Sequence, residues 1–353
     1  MKTKSNPIEI LVFGTGAIGS TLAWRLAQNP LARLSVVCRS NYDAIRTRGI
    51  TLNTQVWGNG HFMPHRVVRT PSEVSRVPFD YVICTNKVSP VRDDDSTARS
   101  IAPVVSPRTV LVTAQNGVGV ETPLRRAFRG NTILSAICYI SCMEPVPGFI
   151  SQPAAIKAAA FRVGAFDSRG PSDEARLAEF VKFDDEFQAI EDVQKERWSK
   201  QIFNGAWNPV TAVSGLDTHQ ILKDSSLFLS NVQSLAREIW QVALKLGIDL
   251  PNDLPERTVE IARNANAVVP SMLQDARRAR PMEIESLCGS ICRQADMLGV
   301  PVPTVKMIYD KLLSMNRAFE IAAAEAIPSQ GLRAPPTSLP HLDLPPTRLA
   351  AVA

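Results

Sequence analysis

Short apolar runs alternate with amphipathic stretches through the first half of the chain. Residues 8–13 (IEILVF), 34–38 (LSVVC), 79–84 (FDYVIC) and 109–113 (TVLVT) are dense in branched and aromatic side chains and predict buried strands. Between the first two, residues 17–28 (AIGSTLAWRLAQ) predict a helix packed on them. Strands alternating with helices indicate an α/β fold with a parallel sheet. Residues 131–141 and 156–164 continue the strand pattern and are expected to extend the same sheet, with a turn at Pro147-Gly148.

Near Asp192 the pattern changes. Helical periodicity dominates over 192–207, 227–247, 255–267, 271–279, 282–298 and 303–325. Gly247 and Gly299 are each followed within four residues by proline, as expected at helix ends. The expected organisation is an N-terminal α/β domain over 1–190 and an all-helical domain over 191–326. The segment 327–353 is proline-rich, without periodicity, and is expected to be disordered.

Composition narrows the function classes. A chain of 353 residues suits two domains, and 45% hydrophobic with 21% charged residues is ordinary for a globular protein. The net charge is only +5 and no Lys/Arg run stands out, so nucleic acid is not an expected partner. No apolar stretch approaches the ~20 residues of a membrane span. The opening MKTKSNPIEI has neither an apolar targeting core nor an Arg-rich amphipathic stretch. A soluble, cytoplasmic protein is expected. Cys138 and Cys142, like Cys288 and Cys292, are four residues apart, but no histidine lies near either pair in sequence and there is no CxxC. Reduced thiols and no metal site are expected.

Chemistry enters at Gly14-Thr15-Gly16-Ala17-Ile18-Gly19, a GxGxxG pattern that follows a strand and opens a helix. That context marks a Rossmann dinucleotide site, with pyrophosphate held at the helix N-terminus. An NAD enzyme would place Asp or Glu at the end of the second strand; this chain has Cys38-Arg39-Ser40. Arg39 can pair with a ribose 2′-phosphate, so NADPH/NADP+ is the expected cofactor.

Lys200, Asn204 and Asn208 fall at i, i+4 and i+8. On one helix they share a face and span ~12 Å. Pro209 is expected to end or kink that helix near Asn208. A lysine and two amides in a row suit a small polar substrate and would be costly if buried with nothing to bind. Lys200 can act as a proton donor if burial or neighbouring cations lower its proton affinity. Glu283 follows Pro281 and suits the first turn of a helix. Ser271 with Gln274 has the spacing of a capping box, and Asn116 that of a turn residue.

The segment Trp198–Pro209 (WSKQIFNGAWNP) resembles the WxKxxxNxxxNP segment of the ketopantoate reductases (2-dehydropantoate 2-reductases). Gln115-Asn116-Gly117 resembles that family's QNG turn. Pro270–Asp275 (PSMLQD) with Met282-Glu283-Ile284 is similar to its SSMLQD and TEI segments. The resemblance covers residues 8–325. It implies reduction of 2-dehydropantoate to pantoate in pantothenate synthesis, with Lys200 as general acid. It further implies that Glu283 orients Lys200 and accepts from the substrate hydroxyl. Asn116 would lie between nicotinamide and substrate, Ser271 would hold the substrate carboxylate, and Lys87 would stand near the nicotinamide.

One position departs: Val268 occupies a place where the family often has Asn. This leaves open another NAD(P)-dependent 2-keto acid reductase or 2-hydroxy acid dehydrogenase. A nucleotide-sensing Rossmann protein without catalysis is the third alternative, disfavoured by the lysine–amide row. The expected partner is a small 2-keto acid; a homodimer is one option for the assembly.

Overall fold

The computed structural model describes residues 6–87, 95–153, 159–267 and 269–326. The proline-rich 327–353 lies outside them, as do 154–158, which overlap the strand predicted at 156–164, and Val268. The strands are β1 (Ile8–Phe13), β2 (Ala32–Val37), β3 (Ile50–Thr54), β4 (Gly58–Phe62), β5 (Arg66–Val68), β6 (Tyr81–Cys84), β7 (Val110–Thr113), β8 (Ile133–Cys138), β9 (Met143–Val146), β10 (Phe149–Gln152), β11 (Phe161–Ala165) and β12 (Phe187–Ala189). The α-helices of the same region are α1 (Ala17–Leu26), α2 (Tyr42–Arg48), α3 (Ser96–Ile101), α4 (Thr122–Ala127) and α5 (Pro171–Val181). Then follow α6 (Val193–Ser214), α7 (Thr218–Asp224), α8 (Ser226–Lys245), α9 (Leu254–Asn264), α10 (Ser271–Arg277), α11 (Ser290–Leu298) and α12 (Pro303–Ala326).

The main sheet runs β12-β11-β8-β7-β6-β1-β2-β5. Its neighbours are parallel except β8 and β11. The apolar runs of β6, β7 and β8 are buried along their length because both faces of the sheet are covered. Separate apolar clusters fill the two faces. The chain leaves β1 in one direction to β2 and β5, and returns on the other side through β6 and β7. That reversal opens a crevice at the carboxyl ends of β1 and β6, where Rossmann-type sheets bind their ligands.

A second sheet, β4-β3-β10-β9, corrects the expectation of a single one. The turn at Pro147-Gly148 joins β9 and β10, which pair with each other, and β10 pairs on its other side with β3 rather than with the main sheet. β3 alternates buried and exposed positions, the mark of a sheet covered on one face only. This sheet lies over α1, with Trp57 edge-on to Trp24 at 6.1 Å. Arg25 sits against both indoles and pairs with Asp184 at 2.7 Å.

Beyond β12 the chain is helical, with α6 packed against α8, α10 and α12 around one apolar core. Three local expectations are corrected here. α6 does not end near Asn208; it continues through Pro209 to Ser214 and stops at Gly215 in the left-handed region. An interior proline costs ~3 kcal/mol, but Trp207, Asn208, Pro209 and Val210 are all buried, and Trp207 donates to the Thr258 carbonyl at 3.1 Å. Tertiary packing outweighs the lost helical bond.

The stretch predicted as one helix over 282–298 opens instead with a π-turn, Glu285–Gly289, ahead of α11. Glu285 is buried there, bonded to Tyr309 and paired with Arg293 at 2.7 Å, and its carboxylate occupies the space that a side chain on Gly289 would need. Finally, Ser271 forms no capping box. Pro270 takes the N-cap position, Ser271 is the exposed first residue of α10, and Gln274 reaches back to the Val269 carbonyl at 3.0 Å.

Candidate active site

The glycine loop is held from behind by the ends of three strands. Gly14 has φ +102, a conformation side chains resist, and a Cβ on it would collide with the backbone of Asn86. Thr85 donates to the Gly14 carbonyl. Thr15 turns inward and donates to the Val37 carbonyl at 2.9 Å, while Asn41 donates to the Thr15 carbonyl at 2.6 Å. Gly19 packs against Gly14, whereas a Cβ on Gly16 would meet only open space. The first intrahelical bond of α1 is donated by Ser20, so the N–H groups of Ala17, Ile18 and Gly19 have no helical acceptor. This is a preformed cradle for an anion, with no carboxylate in the first turn of α1.

Arg39 and Ser40 are exposed just past β2. On the neighbouring strand, Arg69 follows β5, its guanidinium 3.9 Å from the Tyr42 ring centroid and 3.2 Å from Asp43. Two arginines thus stand just past the ends of the paired strands β2 and β5. Sequence reasoning singled out Arg39; Arg69 becomes visible only once β5 is paired beside β2.

Across the crevice stands Lys200. Its Nζ donates to the Asn116 side-chain oxygen at 2.9 Å and to the Cys138 carbonyl at 2.6 Å, and lies 5.7 Å from the Tyr139 ring centroid. Asn116 comes from the turn after β7 and Cys138 from the end of β8, so the lysine reaches from the helical domain onto the carboxyl edge of the sheet. Burial depresses the Lys200 pKa below its ordinary 10.5; the Cys138 thiol and the Glu283 carboxylate oppose that shift, and the Arg197 cation adds to it. Lys200, Asn116 and Asn204 line a narrow cleft together with Gln115, Gly117, Ile137, Arg197 and Gln201. Asn208, one turn further along α6, is buried. Neither the Asn204 nor the Asn208 amide forms a side-chain hydrogen bond among the described residues, so both keep free polar capacity on the face they share with Lys200.

The remaining predicted residues fall around this cleft. Glu283 sits immediately before the helical segment, not inside its first turn, and is close enough to Lys200 to act on its charge. The turn carrying Asn116 packs tightly on the same segment: Gly117 has φ +96, and a Cβ on it would collide with the Ser286 carbonyl. Lys87, after β6, meets Asp275 of α10 at 2.5 Å and so bridges the two domains. Ser271 opens α10, which packs on α6. Sequence reasoning missed Arg197 and Gln201. Gln201 donates to the Leu287 carbonyl at 2.7 Å and leaves its own oxygen unpaired and buried. Their positions, one turn before Lys200 and just after it, carry no motif of their own.

The four described cysteines of the predicted pairs are reduced, as are Cys38 and Cys84. No cluster of metal-ligating side chains occurs among the described residues, and none of their helices is long and apolar enough to cross a membrane.

Comparison with known proteins agrees with this geometry. The family model described as "Ketopantoate reductase PanE/ApbA" matches residues 10–166, and that for its C-terminal part matches residues 192–316. A 2-dehydropantoate 2-reductase of Mesorhizobium japonicum is 27% identical over 342 residues, covering 89% of this chain and 98% of the relative. The crystal structure of 2-dehydropantoate 2-reductase from Methylococcus capsulatus superposes with a TM-score of 0.73 at 28% identity, over 92% of this chain and 99% of that one. A D-mandelate dehydrogenase solved with NADH and anilino(oxo)acetate shares the fold, with a TM-score of 0.76 at 19% identity over 89% and 99% of the two chains. These relatives set the non-catalytic alternative aside. The chain belongs to the ketopantoate reductase family and is an oxidoreductase acting on a CH–OH group.

Proposed function

We propose that the protein reduces 2-dehydropantoate to pantoate with NADPH, in the cytoplasm, as a step toward pantothenate and coenzyme A. The observation that carries this reading is the placement of Lys200: a half-buried ammonium on the carboxyl edge of a Rossmann sheet, tied to Asn116 and Cys138, beside two amides without a side-chain hydrogen bond among the described residues. The division at residues 190/191 then separates the part that holds the cofactor from the part that supplies the acid.

The reduced nicotinamide, when bound, supplies a hydride to the 2-keto carbon. Gly14, Thr15, Gly16, Ala17, Ile18 and Gly19 receive the pyrophosphate, and Arg39 the 2′-phosphate. Lys87, its position fixed by Asp275, would stand by the nicotinamide. As the carbonyl oxygen gains negative charge, Lys200 donates a proton to it and the product is a hydroxyl; the neutral lysine is reprotonated from solvent. A lysine with its ordinary pKa is a weak acid near neutrality, so the lowered value suits the task. Asn116 holds the Lys200 ammonium toward the reacting oxygen. Asn204 and Asn208 bond the substrate's polar groups, Ser271 its carboxylate, and Glu283 the nascent hydroxyl.

A second reading keeps the chemistry and changes the substrate to another 2-keto acid. The shared fold with an enzyme that acts on mandelate favours it, as does Val268 where the family often has Asn. NADPH oxidation followed against a panel of 2-keto acids decides. Turnover highest with 2-dehydropantoate supports the first reading; turnover confined to other keto acids supports the second. No turnover with any of them overturns both.

A further inference from the structure

We propose that Arg197 is a positioning residue that fastens the Asn116 turn of the sheet domain to the Lys200 helix of the other domain, and so sets the distance between the two. Arg197 lies three residues before Lys200 on α6 and is only 3% exposed. Its Nη1 donates to the Gln115 carbonyl at 2.9 Å and to the Gly117 carbonyl at 2.8 Å, the two carbonyls that flank Asn116. Its other edge meets Glu121 at 2.6 Å and Ser135 at 2.6 Å, and Ser135 in turn donates to Glu121 at 2.7 Å. Glu121 is fully buried.

A buried ion pair is weak evidence for stability, because desolvation offsets the attraction. Its geometry is more informative. A planar guanidinium can grip two carbonyls and a carboxylate at once, which a lysine ammonium cannot do in the same fixed arrangement. Arg197 therefore acts on both partners of the Asn116–Lys200 bond without itself being required to touch substrate.

Its charge acts in the same direction. The groups facing Lys200 are Asn116 after β7, Cys138 and Tyr139 at the end of β8, Arg197 on its own helix, and Glu283 ahead of the π-turn. Of these, Arg197 is the cation that disfavours the ammonium.

The test uses the full chain and three variants: Arg197→Lys, Arg197→Met, and Arg197→Met with Glu121→Met, which leaves no uncompensated buried charge. The first readout is the pH midpoint for labelling Lys200 with an amine-reactive probe, followed by peptide mass spectrometry. It needs no substrate. The midpoint should rise in both Met variants and stay near wild type in Arg197→Lys. The second readout is kcat, which rests on the proposed reduction and should fall about tenfold or more in all three, since small misplacements are costly. Wild-type kcat in Arg197→Lys overturns the clamp. An unmoved labelling midpoint in a folded Met variant overturns the electrostatic role. A wild-type enzyme that turns over no keto acid would sink the substrate assignment alone, because the labelling result stands apart from it.

Discussion

The two walls of the crevice are built by opposite strategies. The cofactor wall is contiguous: six residues, Gly14 to Gly19, form a turn and the first turn of a helix, and the backbone does the work. The wall proposed for the substrate is dispersed. Lys200 and Asn204 come from α6, Asn116 from the turn after β7, the Cys138 carbonyl from β8 and Glu283 from the approach to the π-turn. A backbone site depends on local conformation, while a side-chain site depends on how two domains are joined.

The largest expected effect isolates the dispersed wall. Lys200→Ala should lower kcat by ~100-fold or more, on the scale of a lost general acid, while the NADPH dissociation constant stays within experimental error. Steady-state kinetics with a binding titration check both halves. A kcat close to wild type removes Lys200 from the acid role.

Next comes the contiguous wall. Arg39→Asp should weaken NADPH roughly 10- to 100-fold, as expected for a lost charge-assisted bond, and should leave NADH much less affected. Equal losses for both cofactors would mean that Arg39 does not read the 2′-phosphate. Arg69→Ala in the same titration tests whether the neighbouring strand shares the load.

The pH dependence sharpens the contrast further. With Lys200 as the proposed acid, reduction needs the protonated lysine, so its rate should fall as pH rises through the Lys200 pKa. Because burial holds that pKa below 10.5, the alkaline limb must lie below 10.5 as well. Oxidation of the hydroxy acid needs the neutral lysine and should rise over the same interval. A limb at or above 10.5 would contradict the burial argument.

The smallest effect concerns the bridge between the walls. Lys87 is about half exposed, so its pair with Asp275 is worth ~0.2–1 kcal/mol. Lys87→Ala should shift the urea midpoint only slightly. A loss of several kcal/mol would show that this pair holds the domains together.

Legibility in the sequence follows the same division. The glycine loop could be found because strand, turn and helix are consecutive, and each glycine answers a local constraint. The row Lys200, Asn204, Asn208 could be found because a helix has a fixed period. The second sheet was not legible, since β3 pairs with β10 almost a hundred residues later and the alternation of the β3–β4 hairpin is diluted by Gly58, Asn59 and Gly60. Nor was the passage of α6 through Pro209, where the local rule for proline is right and the buried Trp207 overrules it. Arg197 is silent in one dimension: a lone arginine gains meaning only when Glu121, Ser135 and two carbonyls converge on it.

The π-turn at Glu285–Gly289 works as a phase shifter. Were the helix to run unbroken back through Glu283, which here stands just outside it, that residue would fall four before Leu287, eight before Ile291 and twelve before Ala295, all of them buried in the apolar core. A carboxylate on that stripe would be driven into the core. One extra residue in a turn rotates the residues before it by ~100° relative to those after it. The same segment can therefore seat an apolar stripe against its neighbours and still present a carboxylate toward the lysine. Shortening the turn by one residue would re-aim the approach that carries Glu283, and with it the carboxylate nearest the lysine on that segment.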